Sequence, residues 1–316
     1  MSTSGATRKD QFLTNLALTY PTGSMIGTML APVKSGVRSA DSVFVDADDA
    51  IKLVNDEADV TPSNRINFDV GSPYSYKTTR KAIDNVILDK TIRNEESIVK
   101  SKIRETKKLQ NILRLKHEYR TAAILTSVSK VTNYTTLATT TQFDNASYDN
   151  AFFTTRLNTA IASVRSNTGQ KANTIMIPFE VALYVANDTF IRNTLQYQYG
   201  KEVVTADFQG QAMQLIGLPS YIKGLKVVIG DGRMNNANEG ETASKGNTWG
   251  KNVLVGYVPG NDIEDTFGIL TMEYEPFSVY EERKTNPRGT KIIVDWDYAL
   301  LEADLTCWYL FAAAIS

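Results

Sequence analysis

Between Thr91 and Thr126 the chain contains neither proline nor glycine, and Leu109, Ile112, Leu113, Tyr119, Ala122 and Ala123 fall there at helical spacing. Helix formers dominate the stretch, which predicts one helix of roughly 50 Å at 1.5 Å rise per residue. That is longer than a compact domain usually requires. The first half is too polar to be buried on more than one stripe, so the helix is expected to act as an exposed spine.

Residues 1–40 lack sustained periodicity and carry turn signals at Pro21-Thr22-Gly23-Ser24 and Ala31-Pro32, beside apolar clusters such as Phe12-Leu13 and Met25-Ile26. They read as an extended arm that needs a surface to lie on, its own or a neighbour's. Residues 43–80 hold strand-like stretches, Ser42-Val43-Phe44-Val45 and Arg65-Ile66-Asn67-Phe68-Asp69-Val70, around a polar section ending in Thr61-Pro62-Ser63-Asn64. A long, projecting hairpin is expected.

Beyond the spine, after a Thr/Asn-rich loop, Phe153, Leu157, Ile161 and Val164 share one helical face, with Gly169 placed as a C-cap. Residues 172–177 read as a buried strand stopped by Pro178, and residues 205–216 as a short helix ended by Gly217. Residues 225–229 and 252–258 are β-rich and flank a polar stretch, 231–250, read as a surface loop. Residues 266–284 and 291–298 alternate well enough for a long antiparallel hairpin turned at Asn286-Pro287-Arg288-Gly289. The apolar run 305–315 reads as a buried terminal strand, with the single Cys307 as an inert core thiol.

At 316 residues the chain exceeds the roughly 250 to 300 at which one core stops growing, so one large or two interleaved domains are expected. Apolar residues at 42% and charged residues at 22% match soluble globular proteins. Met1-Ser2-Thr3-Ser4-Gly5 does not open a secretory signal, and the longest apolar run falls short of the roughly 20 residues of a membrane span. Synthesis in a cytoplasm, with no membrane partner, is expected.

Net charge is only −1, but its distribution is uneven. Residues 41–75 carry eight acids against two bases, a net of −6, and residues 76–130 carry fourteen bases against six acids, a net of +8. An acidic hairpin is thus followed directly by a basic segment containing the spine.

The supply of catalytic side chains is thin. His117 is the sole histidine and lies mid-helix, which favours a structural role over a nucleophile's base. One His and one Cys cannot build a zinc or iron site from those ligands. Asp46-Ala47-Asp48-Asp49 lacks the glycine and closing glutamate of a calcium loop and reads as a solvated acidic face. Gly246-Asn247-Thr248-Trp249-Gly250-Lys251-Asn252 is one residue short of a phosphate-binding loop, with Asn252 where Ser or Thr is required. Gly230-Asp231-Gly232 is weaker still. Tyr197 to Tyr199 beside the basic helix could stack bases, but no nucleic-acid module surrounds them. No catalytic site, cofactor or metal is expected.

The order of parts resembles the major capsid protein family of tailed bacteriophages, over nearly the whole chain. The resemblance is carried by Lys116-His117-Glu118-Tyr119-Arg120-Thr121-Ala122-Ala123, by Asn173-Thr174-Ile175-Met176-Ile177-Pro178, and by the series Gly217-Leu218-Pro219, Val227-Val228-Ile229-Gly230 and Trp249-Gly250-Lys251-Asn252-Val253-Leu254-Val255-Gly256-Tyr257-Val258-Pro259. It implies an α+β chain of the Hong Kong 97-type capsid fold. Its implied parts are an N-terminal arm (1–40), an extended β-hairpin loop (41–82), a long spine helix in a peripheral domain (83–130), a mixed α/β axial domain (131–263), a long peripheral hairpin (264–298) and a return to the axial domain (299–316).

The implied function is a self-assembling icosahedral head shell, located in the virion and built of pentameric and hexameric capsomers. The implied partners are a portal protein, packaged double-stranded DNA held by non-specific contact and, because no charged helical segment precedes the arm, a separate scaffolding protein. An encapsulin-type bacterial nanocompartment shares the fold and is the nearer alternative, with an enzyme of unknown class more distant. Within such a shell, Asp48, Asp49, Asp56, Glu57 and Asp59 are expected to meet Lys100, Lys107, Lys108, Arg114 and Arg120 of an adjacent spine. The alternative is that both segments are solvated, with the basic face turned towards DNA.

Overall fold

The structure, a computed structural model, describes residues 8–9, 25–42, 74–90, 98–145, 152–193, 218–235, 237, 241–242, 244–260 and 268–316. Its longest strands are β13 (Gly268–Thr285) and β14 (Arg288–Asp304), numbered in chain order, and they form one antiparallel hairpin turning at Asn286 and Pro287. Successive side chains of a strand point to opposite faces, so Ile292, Val294, Trp296 and Tyr298 line one side of β14, all buried. The hairpin register shifts on both sides of Glu275, next to Pro276, which has no N–H to give to the ladder.

Around this hairpin a five-stranded sheet runs β1 (Arg8–Lys9), β13, β14, β5 (Thr79–Leu88), with β2 (Val33–Ser35) pairing parallel to β13. A second, six-stranded sheet has the order β6 (Tyr134–Thr136), β15 (Trp308–Ala312), β12 (Val253–Gly256), β7 (Thr174–Pro178), β9 (Leu225–Gly230), β8 (Tyr221–Ile222). Two-stranded ribbons join β3 (Ser39–Ser42) to β4 (Tyr74–Lys77) and β10 (Arg233–Asn235) to β11 (Lys245–Asn247).

The helices are α1 (Gly27–Leu30), α2 (Ile98–Leu125), α3 (Phe152–Thr168) and α4 (Phe179–Val185). On α3, Phe153, Leu157, Ala160 and Val164 form the buried stripe, packed in one cluster with Ile175, Val227, Val253 and Phe311 of the six-stranded sheet. Gly169, at φ 68°, closes that helix in the left-handed conformation expected from its position, its N–H bonding to the Arg165 carbonyl. Pro178 ends β7 and starts α4.

The long helix serves both sheets. Leu109 and Leu113 pack with Val279, Ile292, Val294 and Trp296 of the five-stranded sheet. Ala122 and Leu125 pack with Met176, Trp249, Leu254 and Leu310 beneath the six-stranded one. At 28 residues, α2 spans roughly 42 Å, and it is a strut between two cores.

The structure corrects several expectations. The spine is not simply an exposed helix with an apolar stripe: Ile112 and Tyr119 are 50% and 47% exposed, whereas Thr106, Gln110, His117, Glu118 and Thr121 are buried. The sheet supplies the bulk at this interface, with Phe277 stacked on Trp296 and Tyr298 tilted against it, and the helix covers them with small or flat polar groups beside Leu109 and Leu113. Residues 231–250 are more than a surface loop, since they hold the β10–β11 ribbon and bury Thr248 and Trp249 at its base. β14 runs to Asp304, six residues past the expected end of its pairing segment. β5 was not anticipated at all. The arm outside residues 8–9 and 25–40, the hairpin residues 43–73, the helix at 205–216 and Tyr197 to Tyr199 lie outside the described residues, as do residues 91–97 of the expected helix.

Candidate functional site

The middle of α2 gathers the buried polar groups that could do chemistry. His117 Nε2 lies 2.8 Å from Thr271 Oγ1, while the Thr271 hydroxyl donates to the Ala31 carbonyl at 2.9 Å. That hydroxyl has one proton, so Nε2–H of His117 is the donor. The imidazole packs against Trp296 and Tyr298, each at 5.1 Å between ring centroids. Burial, with Lys81 and Arg120 adding positive charge nearby, lowers its pKa to about 3. The pair is a neutral donor and a hydroxyl aimed at backbone, fully buried, and this is the reverse of a base activating a nucleophile.

The next residue, Glu118, turns to the other side. Its Oε1 accepts the Trp249 indole N–H at 2.7 Å, and the carboxyl also faces the backbone N–H of Ile26. Its Oε2 is buried without a hydrogen-bond partner. Burial pushes the carboxyl above the usual range, and Asp231 adds to the rise. The backbone approaches closely on both sides: a Cβ at Gly27 would lie 2.9 Å from Glu118 Cα, and one at Gly232 would lie 2.8 Å from Oε1. One turn of helix therefore ties together α1, β13 and the β10–β11 ribbon.

On the flank of the same helix, Lys81 of β5 reaches across Tyr298, with Nζ 3.7 Å from the ring centroid and 2.5 Å from the Tyr298 carbonyl oxygen. Burial lowers Lys81 to about 8, with Arg120 and Lys116 adding to the fall and Asp297 opposing it. Tyr298 itself is pushed up to about 12 by burial, against Arg120, which faces its hydroxyl.

The residues expected at an intersubunit contact divide. Asp48, Asp49, Asp56, Glu57 and Asp59 lie outside the described residues. Lys100, Lys107 and Arg114 recur every seven residues along one side of α2, about half a turn from Lys116 and Arg120, so the bases do not form a single face. Lys108 is 2.9 Å from Glu105, three residues earlier, and Arg114 lies over the Phe277 ring at 5.3 Å. Lys81 and Lys116 were missed; their shared site becomes visible only when β5 is laid beside β14. Among the described residues, no group of three or more His, Cys, Asp or Glu is placed to hold a metal ion, no helix is long and apolar enough to cross a membrane, and a shallow depression on α3 is lined by Asn158, Ile161, Ala162, Arg165 and Ser166.

No family model matches the sequence, and no curated protein matches it. Solved structures do. A phage-related protein from Bordetella bronchiseptica RB50 superposes at a TM-score of 0.71 and 18% identity, covering 98% of both chains. The capsid structure of the cyanophage P-SCSP1u matches at 0.56 and 12% identity, over 89% of this chain and 84% of that one. The chain has the Hong Kong 97-type capsid fold. The holo-SrpI encapsulin complex from Synechococcus elongatus PCC 7942 matches at a TM-score of 0.50 and 10% identity, over 99% of this chain and 92% of that one. At these identities the Hong Kong 97-type likeness is one of fold.

Proposed function

We propose that this chain is the major capsid protein of a tailed bacteriophage, the repeating subunit of an icosahedral head shell. The observation that carries the reading is the end-to-end superposition on a phage-related protein, 98% of each chain at a TM-score of 0.71. In this reading the five-stranded sheet with α2 is the peripheral domain, the six-stranded sheet with α3 and α4 is the axial domain, and the β3–β4 ribbon is the root of the extended loop. Copies join as pentamers and hexamers, with a scaffolding protein and a portal protein as partners during assembly and double-stranded DNA inside. The acidic residues of the extended loop, Asp48, Asp49, Asp56, Glu57 and Asp59, meet bases of a neighbouring copy, setting register more than strength because exposed pairs are worth only about 0.2 to 1 kcal/mol each.

The fold match to an encapsulin favours a second reading, a nanocompartment shell around a cargo protein. Particles isolated from the native source separate the two. Nuclease-protected double-stranded DNA inside the particles is the expected content. A stoichiometric cargo protein without DNA would move the chain to the second reading.

A further inference from the structure

Three cations gather around Tyr298, none of them in an ion pair with a carboxylate of the described residues. Lys81 lies over its ring, Arg120 faces its hydroxyl, and Lys116 sits one helical turn before Arg120, near enough to Lys81 to repel it. The Tyr298 hydroxyl is itself buried with no hydrogen bond of sound geometry. Asp297 is the one acid acting on Lys81, and among the described residues no carboxylate lies within ion-pair distance of Lys81, Lys116 or Arg120. Their neighbours are already engaged: Arg80 with Asp295 at 2.5 Å, Lys102 with Glu281 at 2.8 Å, Lys291 with Asp84 at 3.2 Å. Lys81 Nζ already donates to the Thr79 carbonyl and hydroxyl, each at 3.0 Å, and to the Tyr298 carbonyl, all neutral groups, so the place is short of negative charge. Burial first, and then Arg120 and Lys116, hold Lys81 down to about 8, with Asp297 opposing them.

Resting on the shell reading, we propose that Lys81, Lys116 and Arg120 form a receptor for carboxylates of a second copy of this chain. Charge complementarity selects that occupant. The chain as a whole carries −1, a poor attractant for a polyanion, yet residues 41–75 carry −6 and residues 76–130 carry +8. A carboxylate entering beside Arg120 and Lys116 gains charge-assisted hydrogen bonds, with the guanidinium able to hold both oxygens and Lys81 adding positive charge. The receptor lies on the Arg120 side of α2, and the Lys100, Lys107 and Arg114 side is not needed for it.

Shells assembled from an equal mixture of unlabelled and nitrogen-15-labelled full-length chains, treated with a zero-length carbodiimide and digested, test this by mass spectrometry. Lys81 or Lys116 should be joined to an acid of residues 41–75, with light–heavy pairs marking links between copies. Lys116→Glu should lower the assembled fraction about fivefold at low ionic strength, and Asp56→Lys with Glu57→Lys in the same chain should partly restore it. Intact shells with links at other lysines but none at Lys81 or Lys116, or with pairs of one isotope only, would overturn the receptor and leave the shell reading standing. So would a Lys116→Glu chain that assembles normally and loses only nucleic acid, since phosphate would then be the occupant. If no shells form under any condition, both readings fall.

Discussion

The indole N–H of Trp249 donates to Oε1 of Glu118 at 2.7 Å, joining residues 131 positions apart and fixing the base of the β10–β11 ribbon to the middle of the long helix. The bond anchors a carboxyl whose other oxygen is buried with no partner, so the protonation state of Glu118 bears on stability.

Glu118→Gln should stabilise the fold at neutral pH. Because the folded carboxyl has a raised pKa, its favourable contribution is fully present below the ordinary carboxylate range and is lost as pH rises through the raised value. The amide keeps an acceptor for Trp249 without burying a charge. Thermal unfolding of wild type and variant should diverge as pH rises towards 7, by roughly 1 to 3 kcal/mol, the cost of an unsatisfied buried group. Parallel pH profiles would contradict this account of the carboxyl.

The adjacent His117 has the opposite sign. Its folded pKa of about 3 lies below the ordinary value of 6.5, so its contribution is present above 6.5 and is lost as pH falls from there towards 3. His117→Gln should flatten the acid limb of the stability profile and leave assembly normal. An unchanged acid limb would show that the imidazole is not the group being protonated.

The ribbon between β10 and β11 should tolerate shortening where its anchor does not. Replacing residues 236–244 with an Asn-Gly turn, which suits a two-residue hairpin, should leave the unfolding temperature nearly unchanged. Trp249→Ala should cost about 3 to 5 kcal/mol, since it opens a cavity in the cluster of Met176, Leu254 and Leu310 and leaves Glu118 without its donor. Equal losses in both variants would mean that the whole segment is core.

The same contrast explains how much of the fold was legible in the sequence. The β13–β14 hairpin, the face of α3 and the Gly169 cap rest on local period and turn chemistry, and they are found where that chemistry places them. β5 escaped notice because Arg80, Lys81, Asp84 and Asn85 interrupt its apolar alternation, and its partner β14 lies over two hundred residues away. The buried stripe of α2 was misjudged because periodicity counts apolar residues, and here Thr106, Gln110, His117 and Glu118 are inside. Trp249 stood in a polar stretch, and its burial is explained by partners distant in sequence, the apolar cluster of Met176, Leu254 and Leu310 and the carboxyl of Glu118. The cation site fared likewise, since Lys81 and Arg120 meet only across the packing of β5 against α2.

The shell itself is tested most directly by electron microscopy of the purified full-length protein, expressed with its own scaffolding protein. The account predicts closed, hollow particles of uniform diameter bearing fivefold and sixfold capsomers. A soluble 35.0 kDa monomer that never assembles would contradict it.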